Sequence, residues 1–217
     1  MNTKRLLSAV VCMALSMPLL AQGQYTDGRT INYYTGKPAI YYGLRRGLSL
    51  SSVSTDIRDL DGSSIQSGLS VGGIVGFQLS PTTPVSIETG LLYMEKGGKG
   101  DIDGEKTTFN LHYFEVPIVA KYRYEMDDDL SLQPFLGGYL ALGIGGKVKN
   151  YAQKTTCTSF DGDRFRHFDG GLRLGCGLEY SMIYIELAYD LGLANISHSD
   201  FDSAKNRSLV VSAGVNF

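Results

Sequence analysis

The run "MIYIELAYDLGL", residues 182–193, constrains the fold of this 217-residue chain more than any other feature. Ile183, Ile185, Leu187, Tyr189, Leu191 and Leu193 fall on one side of an extended strand, and Tyr184, Glu186, Ala188, Asp190 and Gly192 on the other. Side chains of a strand alternate at period two, so this segment carries one apolar face and one polar face. "FDGGLRLGCGLEY" repeats the pattern, setting Phe168, Leu172, Leu174 and Leu178 against Asp169, Arg173 and Glu179. "YFEVPIVAKY" repeats it again, with Phe114, Val116, Ile118, Ala120 and Tyr122 against Glu115, Pro117 and Lys121.

The same theme runs along the chain in eight segments, at about 39–53, 65–80, 85–95, 111–125, 130–146, 165–179, 182–193 and 207–217. Short connections ("SPTTP", "MDDDL", "EYSM") alternate with long polar ones ("TDIRDLDGSS", "KGGKGDIDGEKTTFN", residues 147–164 and "ANISHSDFDSAKN"). Short turns at one end and long loops at the other mark a transmembrane β-barrel. The expected fold is therefore all-β: an eight-stranded antiparallel barrel of the outer-membrane type, with short periplasmic turns and longer extracellular loops. An even strand number puts both barrel termini on the periplasmic side.

Alternation alone does not say which face is inside, because soluble sandwiches and lipocalin-like barrels alternate too. Composition of the polar face decides it. Gly72, Gly76, Gly90, Gly137, Gly143, Gly171, Gly175, Gly177, Gly192 and Gly214 crowd that face. Glycine weakens a strand unless something approaches closely, and the interior of a small barrel is a crowded place. The polar face then points into the lumen and the apolar face meets lipid. This directs Arg45, Glu88, Glu115, Lys121, Arg123, Arg173, Glu186 and Asp190 inward, where charges of both signs can pair. Tyr42, Tyr93, Tyr122, Tyr124 and Tyr180 near strand ends suit interfacial girdles. Two residues strain the scheme. Pro117 lacks a ladder donor, which suggests a bulge there, and Arg46 falls on the lipid face unless a bulge or an interfacial position relieves it.

Residues 1–21 have the order of a secretory signal peptide: Lys4 and Arg5, an apolar run, then small residues ending at Ala21, with Gly23 as a second cleavage position. Residues 22–38 read as a short periplasmic leader and 39–217 as the barrel domain. A formal charge of -2 leaves no basic footprint for nucleic acid. Cys12 goes with the signal peptide, and Cys157 and Cys176 are expected to be free thiols.

"YFEVPIVAKY", "PFLGGYLALGIGGK", "FDGGLRLGCGLEY" and "LVVSAGVNF" together resemble the PorT-like outer-membrane β-barrel domain proteins across about residues 39–217. The resemblance implies an integral barrel in the outer membrane of a Gram-negative bacterium. It implies no settled activity, although one branch of the family is linked to protein secretion. The ending on Phe217 is similar to that of outer-membrane barrels as a class, whose terminal aromatic is recognised by the insertion machinery; Phe217 is thus a candidate assembly signal.

Chemistry is sparse. His112, His167 and His198 lack ligand spacing to one another, and a hydrolase site using Ser197 or Ser199 has no further support. "DIDGE" and "DGD" do not complete a calcium loop, and "GIGGK" lacks P-loop spacing. No catalytic residue, cofactor or metal is assigned. The expected role is a monomeric structural or docking component of the outer membrane, in contact with outer-membrane lipids, with the insertion machinery during assembly, and with an envelope or secretion protein partner. The alternatives are a narrow transport or secretion-associated pore, and an outer-face enzyme acting on lipids or peptides.

Overall fold

The computed structural model describes residues 25–26, 29–30, 40–55, 65–80, 83–102, 105–127, 129–150, 155–158, 167–194 and 204–217. The signal segment, Asp103, "DGD" at 161–163, Ser197, His198 and Ser199 lie outside the described residues. Within the leader, Tyr25–Thr26 pairs with Arg29–Thr30 as a small separate sheet.

Eight long strands form one antiparallel sheet: β1 (Ile40–Thr55), β2 (Gln66–Gln78), β3 (Val85–Ile102), β4 (Glu105–Tyr122), β5 (Leu130–Asn150), β6 (Phe168–Tyr180), β7 (Ile183–Gly192) and β8 (Ala204–Asn216). Each pairs with its sequence neighbours, and β8 pairs with β1, so the sheet closes on itself. At the seam, Tyr42 N donates to Phe217 O at 2.9 Å and Phe217 N to Tyr42 O at 2.8 Å. Two short pieces extend the wall: Tyr124–Glu125 pairs with β5 after a one-residue break at Arg123, and Thr155–Thr158 folds back on the end of β5.

The register fixes the barrel's shape. Opposed residues run from Tyr42 through Val75, Thr89, Ile118, Gly138, Leu172, Leu191 and Arg207, then return to β1 at Ser52, ten residues beyond the start. A stagger of this size in eight strands, with about 3.3 Å per residue and about 4.8 Å between strands, tilts the strands by roughly 40°. The lumen of such a barrel is just wide enough for side chains to fill.

The two faces separate as the alternation demands. Leu44, Leu136, Ile185 and Leu187 are all more than half exposed on the outer wall, whereas Arg45, Glu115, Lys121, Arg173 and Asp190 are all under 5% exposed inside. An apolar exterior, interrupted at Arg46, around a charged interior is the surface of a protein whose solvent is lipid. Tyr42, Tyr122, Tyr124, Tyr180 and Phe217 ring the short-turn end on the outside, each at least 47% exposed. Tyr93, Glu95, His112 and Arg207 point outward towards the other end.

Glycines in the wall make room for large interior side chains. A Cβ on Gly76 would lie 2.0 Å from the Tyr41 ring, and one on Gly177 would lie 1.9 Å from the Tyr184 hydroxyl. The short β6–β7 turn uses Ser181 at φ 54°, the left-handed conformation that two-residue hairpins require.

Three sequence expectations need correction. Residues 96–110, read as a loop, continue the β3–β4 ladder out to the Ile102–Glu105 pair; once register is set, β-prone residues such as Thr107, Thr108 and Phe109 propagate it beyond the apolar band. Pro117 sits at no bulge. The β3–β4 register is the same at Thr89–Ile118 and Leu92–Glu115, and the ladder omits the two pairs between them; the shift lies instead between His112 and Tyr113 against β5. No bulge relieves Arg46: β1 runs in unbroken register from Ile40 against β2 and on to Thr55 against β8, and Arg46 faces outward.

Candidate functional site

The barrel interior holds the densest chemistry among the described residues, and each predicted inward charge projects from a strand whose register sets its height. At the short-turn end, Arg123 Nη1 and Nη2 donate to Glu179 Oε1 and Oε2 at 2.8 and 3.3 Å. Gln133 and Asn216 also donate to Glu179, at 3.2 and 2.7 Å. A bidentate guanidinium–carboxylate pair with two further donors is a strong closure for this end.

Above it, Lys121 Nζ lies 2.8 Å from Glu88 Oε1 and 3.8 Å from Glu186 Oε2, and donates to the Tyr184 hydroxyl at 2.7 Å. The Arg45 guanidinium rests 4.0 Å above the Tyr184 ring, with Nη2 3.7 Å from Glu88 Oε2. Tyr41 donates to the same Glu88 oxygen at 3.0 Å.

Arg173 joins the two levels. Its Nη1 donates to Glu115 Oε1 at 2.9 Å and to Asp190 Oδ1 at 3.0 Å, and its Nη2 donates to Glu186 Oε1 at 3.1 Å. Higher still, Lys96 Nζ is 2.6 Å from Glu115 Oε2 and 4.1 Å above the Tyr139 ring. Asp169 accepts from Asn206 Nδ2 at 2.8 Å and from Gly170 N at 2.7 Å. Further bonds cross from strand to strand: Ser49 Oγ to Glu95 O, Gln66 Nε2 to Asn110 Oδ1, and Gly97 N to Ser51 Oγ at 2.8 Å.

Of the eight charges read from sequence, Arg45, Glu88, Glu115, Lys121, Arg173, Glu186 and Asp190 fall in one connected cluster, and Arg123 belongs to the separate closure around Glu179. Lys96 is the member that sequence reasoning missed, because β3 was expected to end at residue 95; continued alternation past Met94 was the available signal. With Lys96 included, four cations (Arg45, Lys96, Lys121, Arg173) face four carboxylates (Glu88, Glu115, Glu186, Asp190). Paired charges can be held out of water only when their remaining bonds are met; here Arg45 Nε is buried without a hydrogen-bond partner, and Arg45 Nη2, Lys96 Nζ and Glu115 Oε2 are held by ion pairing alone. The cavity beside Arg45, Glu88, Glu186 and Ser212 measures about 10 Å³, room for about one water.

The two described histidines, His112 and His167, make separate contacts. Tyr93 Oη lies 2.8 Å from His112 Nδ1 and 3.0 Å from Glu95 Oε1, an outward-facing hydrogen-bonded chain. His167 Nδ1 lies 3.0 Å from Gly143 O. Among the described residues, no three His, Cys, Asp or Glu side chains are grouped to hold a metal. Cys176 is a free thiol on the outer wall, and the Cys157 side chain lies outside the described residues.

A family model described as "outer membrane protein beta-barrel domain" matches residues 22–198. Among solved structures, a major outer membrane protein of Thermus thermophilus shares 11% identity at a TM-score of 0.51, covering 82% of this chain and 100% of that one. Neisserial surface protein A shares 15% identity at 0.46, covering 81% and 95%. The attachment invasion locus protein of Yersinia pestis shares 15% at 0.43, covering 82% and 98%. The first of these supports the fold. No match was found among curated proteins.

Proposed function

This chain belongs to the outer membrane protein β-barrel domain family, and from that premise we propose that it is a closed, non-conducting docking or structural element of the outer membrane. The observation that carries the reading is the matched lumen: four cations against four carboxylates with aromatic rings between them, and a cavity beside Arg45 and Glu88 with room for about one water. A conducting lumen needs a continuous wet path and ions that enter and leave. Here the charges are spent on each other.

Within the family we read the chain as PorT-like, with the short turns and both barrel termini on the periplasmic side and Phe217 as its assembly signal. It acts as a monomeric barrel that offers its surface to lipids and to an envelope or secretion partner, without catalysis. Planar-bilayer recording tests the central claim. The purified barrel should add no ion current above background, and Glu115→Ala with Arg173→Ala should begin to leak. Steady single-channel steps from the unmodified barrel would replace this reading with that of a pore.

A further inference from the structure

We propose that Arg46 marks a docking site in the membrane-facing wall for a partner protein whose own membrane-embedded, apolar surface carries one carboxyl group. The proposal rests on the reading of the barrel as a docking element and locates the contact on the wall rather than on the loops.

Arg46 lies in the middle of the apolar band. Along β1 its outward neighbours are Tyr42 and Leu44 on one side and Leu48 and Leu50 on the other; Leu44 and Leu48 are each 58% exposed. At about 3.3 Å per residue and a tilt of roughly 40°, the four residues to Tyr42 or to Leu50 correspond to roughly 10 Å of depth in either direction. An arginine close to an edge would snorkel to the headgroups. From mid-depth it does not reach them, and this is the depth at which a lipid-facing cation costs a barrel most.

The wall offers Arg46 little relief. Its opposed residues are Ala213 on β8 and Val71 on β2. Beside them is Gly73, where an added Cβ would meet nothing closer than 3.8 Å. Between the tyrosines of one edge and Glu95 of the other, no acidic side chain faces outward among the described residues. A second copy of the chain would therefore bring another Arg46, or leucine, but no counter-charge. The wall is low on both sides of the arginine, which leaves its guanidinium open to a carboxyl group on an approaching surface. Ionic residues inside a membrane mark contact or transport sites, and the sealed lumen leaves contact as the role of a charge on the outside.

The test uses the full barrel refolded in phosphatidylcholine vesicles with a fluorescent apolar helix carrying one central glutamate, its glutamine twin as control. The glutamate helix should bind at least about tenfold more tightly than its twin, and Arg46→Leu should abolish the difference while Arg46→Lys keeps most of it. In cells, a photo-crosslinking residue at Val71 should give a protein adduct that is lost in Arg46→Leu and retained in Arg46→Lys. Equal binding of the two helices would overturn the proposal, as would an adduct unchanged in Arg46→Leu. Adducts to lipid alone would assign Arg46 to a lipid phosphate instead. None of these readouts depends on conductance, so a pore would be recognised separately.

Discussion

The Tyr184 hydroxyl occupies the space that a Cβ on Gly177 would need, 1.9 Å away. These residues lie on adjacent strands, and the ring that leans across Gly177 also carries Arg45 on its face and receives Lys121 at its hydroxyl. One glycine thus positions an aromatic group that organises two cations.

Gly177→Ala should force Tyr184 out of this place and cost about 1–3 kcal/mol, the usual range for overpacking. Gly73→Ala on the open outer wall should be neutral or stabilising by up to about 1 kcal/mol, since it removes only glycine's entropic penalty. Denaturant unfolding in lipid vesicles compares the two. Equal losses would show that glycine is required throughout the wall, and not specifically beneath Tyr184.

Removing Glu115 should be more severe. Its two oxygens face Arg173 and Lys96 at 2.9 and 2.6 Å, and the whole group is buried. Glu115→Leu leaves both cations with Asp190 as the nearest remaining carboxylate, and a broken buried pair typically costs about 3–5 kcal/mol. Exposed Glu125→Ala should shift the unfolding midpoint hardly at all. A small effect at Glu115 would mean that the lumen admits enough water to solvate its cations.

The faces of the barrel were legible in the sequence because alternation is a backbone property: once Glu186 and Asp190 share a side, so must Tyr184 and Gly192. What alternation cannot give is where a ladder stops. Lys96 was missed for that reason, since polar residues prolong a strand as readily as they form a loop. The position of the bulge was also hidden. Pro117 removes a donor without changing the residue count between strands, whereas the shift at His112–Tyr113 leaves Ile144 as the extra residue on β5, between Gly143 and Gly145, and glycines are too common in these strands to single it out. Pairing partners were beyond reach too, because Arg173 and Glu115 meet across the lumen from strands 58 positions apart.

Cys176 offers a direct measure of facing. It lies on the outer wall in line with Leu174 and Leu178, with its Sγ 3.8 Å from Gly177 O. In a Cys157→Ser background folded in lipid, Cys176 should resist a charged, water-soluble maleimide and react with an apolar, membrane-permeant one. Unfolding in denaturant should erase the distinction. Rapid labelling of the folded form by the charged reagent would put this wall in water.

Phe217 has two separable roles. Its backbone closes the seam with Tyr42 through two hydrogen bonds, and its ring, 60% exposed, stands in the aromatic rim at the short-turn end. Phe217→Ala keeps the backbone pairing and removes only the ring. If the ring serves the rim alone, an exposed aromatic at the bilayer edge contributes modestly, and both refolded stability and insertion in cells should fall slightly together. The assembly reading separates these measurements: the variant should refold in detergent with a midpoint within about 1 kcal/mol of the parent, as surface substitutions usually do, while its yield in the outer membrane falls several-fold. Deleting Phe217 should add a stability loss of about 1–3 kcal/mol, because the two seam bonds go with it. Quantifying membrane-inserted protein in cells beside refolding midpoints in vitro discriminates the roles. Normal insertion of Phe217→Ala would leave the residue as a seam and rim element only.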